Sequence, residues 1–322
     1  MVGVIGAGAI GLVLAARLAR AGHAVRVSTR DADVATTIGR DGIHIEEPEF
    51  GASWNARVDA VAGVPAGGVT AYFACVRVPD VPALAAMLMP GSFVVNLQNG
   101  VEGDAILAER GLGVAGAVIR QGCTRIGPNR ARAMVPGRIA IGTHAKCTDA
   151  DLTPIAGMLR DAGYEVAVSA QIADDRWLKL CINLMTTPNA LVRQTDHATS
   201  CFTDGRARLL EEARDVLRAA GITARSCDPR DRTLDAEIEA QRAALVHGTA
   251  ARRLPIYNSL WQALRSGAAT ESDLFHRRII DLGASHGVAT PLNRRAFEIL
   301  ERTRLRGLGP ESCSATEFFD GT

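Results

Sequence analysis

The sequence predicts an α/β half followed by an all-helical half. Three observations carry this. A glycine-punctuated βαβ unit opens the chain, strand and helix patterns alternate to about residue 171, and from about Ala173 through Leu308 long helical stretches take over. The expected domains are residues 1–171 and 172–322. With 322 residues the chain is long enough to build two cores.

The opening unit reads "VGVIGAGAIGLVLAARLARAGHAVRVSTR". Val2 to Ile5 form a short apolar strand. Ile10 to Ala21 form a helix closed by Gly22 in the manner of a C′ glycine. Ala24 to Ser28 form a second strand. Gly6, Gly8 and Gly11, with Ala7, Ala9 and Ile10 among them, make GxGxxG at the strand-to-helix turn. Gly6 permits the tight turn, Gly8 lets the backbone approach a pyrophosphate, and Gly11 lets helix and strand pack closely. The helix N-terminus then offers its N–H groups to the phosphates. This is a Rossmann-type dinucleotide-binding arrangement. Its second strand ends Ser28-Thr29-Arg30, without the carboxylate that takes the ribose hydroxyls in an NAD site. Asp31 is expected to start the next turn. Arg30 can pair with a 2′-phosphate, so the pattern favours NADP(H).

The alternation continues through "VTAYFACVRVP", a buried strand ending at Arg77, and the short helix "VPALAAML". Next, "SFVVNLQNGVE" is a strand running into the Asn96–Gly100 turn. Ligands in doubly wound sheets sit at the carboxyl ends of strands, which makes Arg77 and Asn99 candidates. The segment from Ile126 to Gly142 reads as a hairpin extension of the sheet. The tail "GPESCSATEFFDGT" reads as polar and loose.

In the helical half, "WLKLCINLMTTPNALV" places a lysine in an apolar run. Lys179, Asn183 and Thr187 are spaced by four, so on one helix they share an azimuth to within about 40°. The remaining faces are too apolar for a surface helix, so the stripe is expected to line an enclosed polar cavity; Pro188 disturbs the following turn. A second block, "YNSLWQALRSGAATESDLF", supplies Ser259 and Glu271. Thr270 is expected to cap the helix that follows, with Asp273 at its N3 position. Glu271 then falls in the first turn, where a carboxylate is also welcome for structural reasons alone.

Composition narrows the function classes. The net charge is +1, and the arginines are interspersed with acids. Aromatic residues make up 4%, too few for a base-stacking surface, so no nucleic-acid partner is expected. No apolar run approaches the roughly 18 residues of a membrane span, and the glycine-broken opening run is a strand, not a signal peptide. The seven cysteines include no CxxC pair, which argues against a disulfide framework, structural zinc or another metal site and for a reducing, cytoplasmic setting.

Taken together, "GAGAIG", "NLQNGV", "WLKLCIN" and the serine-to-glutamate block resemble the ketopantoate reductase (2-dehydropantoate 2-reductase) family over nearly the whole length. The Lys-x-x-x-Asn pair recurs as Lys179 and Asn183, and the serine with a glutamate twelve residues on as Ser259 and Glu271. The resemblance implies a Rossmann domain, an all-α second domain of the 6-phosphogluconate-dehydrogenase-like type and a cleft between them. It implies NADP(H) along Gly6, Ala7, Gly8, Ala9, Ile10 and Gly11, with Arg30 and Arg77 near the 2′-phosphate. Asn99 is then near the nicotinamide ribose and the substrate. Lys179 becomes the general acid, Glu271 the holder of the substrate's distal hydroxyl, and Ser259, Asn183 and Thr187 hydrogen-bonding groups for the substrate. The implied reaction is reduction of a 2-oxo acid to a 2-hydroxy acid, with ketopantoate in pantothenate biosynthesis as the default, by a monomer or homodimer. Four departures stand out. Thr187 and Ala263 replace an asparagine and an aspartate, Ile256 an asparagine, and Ser272 an isoleucine. These favour the alternative of a reductase of another 2-oxo acid or ketone; a second alternative, a catalytically silent NADP-binding sensor, is opposed by the retained Lys179 and Glu271.

Overall fold

The computed structural model describes residues 1–64, 67–134, 137–246, 258–268 and 270–321; Ile256 lies outside them. Two compact units emerge, Met1–Arg176 and Trp177–Thr322.

In the first unit the elements follow in order. They are β1 (Val2–Ile5), α1 (Ala9–Arg20), β2 (Val25–Thr29), α2 (Ala32–Asp41), β3 (Ile43–Glu47), β4 (Ala52–Ala56) and β5 (Asp59–Ala62). Next come β6 (Ala71–Ala74), α3 (Val81–Met87), β7 (Phe93–Asn96), α4 (Gly103–Glu109), β8 (Gly113–Arg120), β9 (Cys123–Arg125) and β10 (Arg130–Ala133). The unit closes with β11 (Arg138–Ala145), α5 (Asp149–Asp161) and β12 (Glu165–Val168). Eight strands form one sheet in the order β12-β11-β8-β7-β6-β1-β2-β5. All its pairs are parallel except β8 with β11. This is the doubly wound order, with the strand sequence reversing between β1 and β6.

The sheet is covered on both faces, as a parallel sheet must be. Strand β6 shows this directly. Ala71 and Phe73 join the cluster containing Leu12, Val13 and Leu159, while Tyr72 and Ala74 join the one containing Leu84 and Leu107. Two details of the sequence expectation change. Of the hairpin extension expected from Ile126 to Gly142, only β11 joins the main sheet, antiparallel to β8, whereas β10 pairs with β9, which lies before that stretch, in a separate four-stranded sheet of order β4-β3-β10-β9. β10 pairs with β3, eighty-odd residues earlier, a partnership no local pattern encodes. The strand expected to end at Arg77 ends at Ala74.

The helices continue with α6 (Ile172–Leu184), α7 (Thr186–Leu191), α8 (Ser200–Ala219), α9 (Leu234–Val246), α10 (Ser259–Ser266), α11 (Ser272–Ser285), α12 (Pro291–Arg306) and α13 (Ala315–Phe319). Among its described residues the second unit has no strand apart from a short bridge between Val192 and Cys313. Its core includes Phe202, Leu209, Leu210 and Val216 of α8, all without accessible surface.

The tail is not loose. Ser314 and Glu317 form a reciprocal capping box that starts α13. Phe318 and Phe319 are buried, and the Phe319 ring lies where a Cβ on Gly205 of α8 would stand, 2.3 Å from its Cγ. Two adjacent phenylalanines are too short a signal for helical periodicity, so their docking appears only in three dimensions. Among the described residues no helix is long and apolar enough to cross a membrane.

Candidate active site

The glycine turn of the first unit is built as its sequence demands. Gly6 has φ +106°, a conformation open to glycine, and a Cβ there would stand 2.5 Å from the Cys75 carbonyl oxygen. A Cβ on Gly11 would stand 1.9 Å from the Gly6 carbonyl oxygen, so helix and strand touch backbone to backbone. A Cβ on Gly8 would meet no protein atom within 4 Å. Gly8 is also the N-cap of α1; no side chain caps that helix and its first turn holds no acid. The first and third glycines therefore serve the fold, while the space over the second is open. Ala7, Ala9 and Ile10 complete the turn and the first helical residues.

A cavity of roughly 450 Å³ opens beside this turn, lined by Gly6, Ala7, Gly8, Ser28, Arg30, Arg77, Asp80 and Arg125 among others. The Ser28 hydroxyl is buried in its wall without a hydrogen-bond partner from the protein, which suits a polar ligand. Arg30 and Arg77 both reach this cavity. Asp31 starts the following turn, its carboxylate accepting from the Asp33 and Val34 amides as the N-cap of α2. A residue unforeseen from the sequence lies between the two arginines. Asp80 accepts from Arg30 Nη1 at 2.9 Å, and its second oxygen is 3.5 Å from Arg77 Nε.

Asn99 is exposed in the turn after β7. That turn is held from beneath by Arg176 and Asp104, both buried. Arg176 Nε lies 2.6 Å from Asp104 Oδ2. The Arg176 guanidinium also donates to the carbonyls of Asn96, Gln98 and Gly100, at 2.7, 2.9 and 3.3 Å. Asn96 Nδ2 donates to Asp104 Oδ1 at 2.6 Å. One guanidinium thus satisfies three carbonyls of a turn that leaves the sheet.

In the second unit, Lys179 and Asn183 are half-buried on α6. Thr187 departs from the expected stripe. The helix stops at Leu184, four residues before Pro188, where the proline ring excludes the carbonyl of residue i−4. Thr187 therefore belongs to α7 and has no accessible surface. Its hydroxyl lies 2.8 Å from His276 Nε2, and His276 Nδ1 is 3.0 Å from Asn293 Oδ1. The Asn293 amide donates in turn to Leu209 O and Glu212 Oε2. With Nδ1–H donating to Asn293, a neutral His276 accepts from Thr187 at Nε2, and every group is satisfied. Burial pushes the His276 pKa down from 6.5 to about 4, against the raising effect of Asn293. Thr187 is a core residue of this network, not a group lining an open cavity.

The Ser259/Glu271 block also differs in detail. Asn258 caps α10; its Oδ1 accepts from the Trp261 amide at 2.8 Å, and Ser259 is exposed at the first helical position. Glu271, not Thr270, is the N-cap of α11, and Asp273 sits at N2 instead of N3. The Glu271 side chain makes no capping bond to α11. Thr270 instead accepts from the Ser272 amide.

These three places are tied together. Asn258 Nδ2 donates to Thr186 O at 2.8 Å. The Thr186 hydroxyl donates to Asn183 O at 2.6 Å and lies 3.5 Å from the Ser272 hydroxyl. Asn183, the residue before Ser259 and the residue after Glu271 thus meet through Thr186. Ser272, which departs from the family pattern, is buried and takes part in this link. No sequence signal pointed to Thr186 or His276; the partners Ser272, Asn258 and Thr187 that link them across the unit lie 72 to 89 residues away. Among the described residues no cluster of histidine, cysteine, aspartate or glutamate could hold a metal ion.

The doubly wound sheet and the glycine turn over a cavity define a Rossmann-type dinucleotide-binding domain. The comparisons with known proteins make this specific. Residues 2–146 match the family described as "Ketopantoate reductase PanE/ApbA", and residues 171–303 match "Ketopantoate reductase PanE/ApbA C terminal". The chain belongs to the ketopantoate reductase family. It is 28% identical over 316 residues to a 2-dehydropantoate 2-reductase of Caulobacter vibrioides, covering 94% of this chain and 99% of that one. The counterpart from Halobacterium salinarum is 25% identical over 315 residues, with the same coverage. Among solved structures, a D-mandelate dehydrogenase with NADH and anilino(oxo)acetate superposes with a TM-score of 0.79 at 18% identity, covering 95% of this chain and 99% of that one. A PanE/ApbA family ketopantoate reductase from Ralstonia eutropha superposes with a TM-score of 0.76 at 23% identity, over the same shares. At such identities these two likenesses concern the fold alone.

Proposed function

We propose that the chain is a cytoplasmic NADPH-dependent reductase of a 2-oxo acid, acting as a monomer or homodimer, with 2-dehydropantoate as the first substrate to test. The observation that supports this best is the tie through Thr186, which gathers the segments bearing Asn183, Ser259 and Glu271.

NADPH, when bound, supplies the hydride that the 2-keto carbon receives. Gly6 to Gly11 hold its pyrophosphate, Arg30 and Arg77 its 2′-phosphate, and Asn99 the nicotinamide ribose. The Lys179 ammonium stabilises the negative charge developing on the carbonyl oxygen and delivers the proton to it. Asn183 and Ser259 orient the substrate by hydrogen bonds, and Glu271 accepts from its distal hydroxyl. Thr187 has no part here, because its hydroxyl is committed to His276.

That same commitment favours a second reading within the family. The polar anchors replaced by Ala263 and Thr187 are those that would grip a substrate's polar end, so a 2-oxo acid with an apolar or phenyl-bearing side chain becomes a competing substrate. The assay mixes protein and NADPH, or NADH, with a panel of 2-oxo acids including ketopantoate and follows nicotinamide absorbance. Oxidation with ketopantoate supports the first reading, and oxidation only with other ketones the second. No oxidation with any substrate leaves a dinucleotide-binding sensor. Lys179→Ala should keep NADPH affinity and lose about 10²- to 10⁴-fold in turnover; near-normal turnover would remove the lysine from its role.

A further inference from the structure

The two arginines beside the cavity do not await an anion alone, because the chain supplies one. Arg30 stands just beyond β2 and Arg77 beyond β6, on either side of β1 in the sheet. Asp80 gives one carboxylate oxygen to each guanidinium, at 2.9 and 3.5 Å. All three residues line the cavity that holds the glycine turn. An ordinary helix-capping duty does not account for Asp80, since it precedes α3 but makes no side-chain capping bond. Two further charged groups line the cavity: Asp31, whose carboxylate is engaged as the N-cap of α2, and Arg125, which bonds to the carbonyls of Gly127 and Pro128 at 3.0 and 3.2 Å.

We infer that Asp80 is a specificity-determining residue that restrains the preference for a 2′-phosphorylated dinucleotide over its unphosphorylated counterpart. This rests on the reading of the cavity as the dinucleotide site. A phosphate monoester and a carboxylate seek the same guanidinium N–H groups. A 2′-phosphate brought to Arg30 and Arg77 must share the two guanidinium groups with Asp80 and faces its negative charge at close range. A ribose carrying a free 2′-hydroxyl brings no such charge. The pair of arginines draws NADP(H) in, and the aspartate between them subtracts from that advantage. The chain is therefore built to accept both cofactors with moderate discrimination.

The test is Asp80→Asn, which keeps the shape and removes the charge, with Asp80→Ser as a second variant against any local misfit. Dissociation constants for NADPH and NADH are measured on wild type and variants at one ionic strength. The same is done for 2′,5′-ADP and 5′-AMP as competing probes. Removing one unit charge a few ångströms from a phosphate should raise the NADPH-over-NADH affinity ratio by about tenfold, and the 2′,5′-ADP ratio in parallel. A ratio unchanged within about twofold in both variants, or one that falls, overturns the inference; in the latter case Asp80 merely organises the arginines. A wild type that prefers NADH defeats the NADPH reading, yet the inference survives if the variants shift toward NADPH. Failure of wild type and variants to bind any of the four probes overturns both.

Discussion

His276 gives the helical unit a built-in sensitivity to mild acid. Its ring is fully buried between Thr187 and Asn293, and burial lowers its pKa from 6.5 to about 4. The folded state therefore binds this proton less readily than the unfolded chain. The sign follows: the stability present at neutral pH is lost as pH falls below about 6.5, and the loss levels off near pH 4. At pH 5 the separation is about 1.5 pH units, or about 2 kcal/mol at about 1.36 kcal/mol per unit. Carboxylates titrate in part of this window, so the quantity to measure is a difference. Urea unfolding of wild type and His276→Gln is followed at pH 7.5, 6.5, 5.5 and 5. The variant is expected to start less stable, because it disturbs the Thr187–Asn293 link. The gap should then narrow by about 2 kcal/mol between pH 7.5 and pH 5. Parallel curves across that range would refute the buried, neutral imidazole.

Two glycines of the turn should separate folding from binding. Gly8→Ala places a methyl group in open space, so stability should change by no more than about 1 kcal/mol while dinucleotide affinity falls about tenfold or more, measured by denaturation and fluorescence titration. Gly11→Ala drives a Cβ against the Gly6 carbonyl and should damage the fold itself, read as loss of soluble protein or of the cooperative transition. Asp104→Asn leaves the Arg176 charge buried without its counter-ion and should destabilise by about 3–5 kcal/mol in chemical denaturation; a loss under about 1 kcal/mol would deny the pair its role beneath the Asn99 turn.

The residues by themselves determined the βαβ opening, the structural purpose of Gly6 and Gly11 and the change to helices near Ala173. These are local matters: a turn's dihedral, a helix period and a close backbone approach are written within a few residues of where they act. Lys179 and Asn183 also stood out in the sequence as polar residues on an apolar helix, and Ser259 and Glu271 through the family resemblance. What tertiary structure alone decided were the partnerships. Thr187 fits the four-residue spacing, yet Pro188 ends the helix at Leu184 and the hydroxyl turns to a histidine 89 residues away. Phe318 and Phe319 look like a tail until Gly205 leaves room for a ring. Asp80 looks like a surface acid until the strand order brings Arg30 beside it, 50 residues distant in the chain. A spacing rule assumes one continuous helix and a charge rule assumes nearby partners, whereas burial and long-range pairing depend on which strands and helices the whole chain sets side by side.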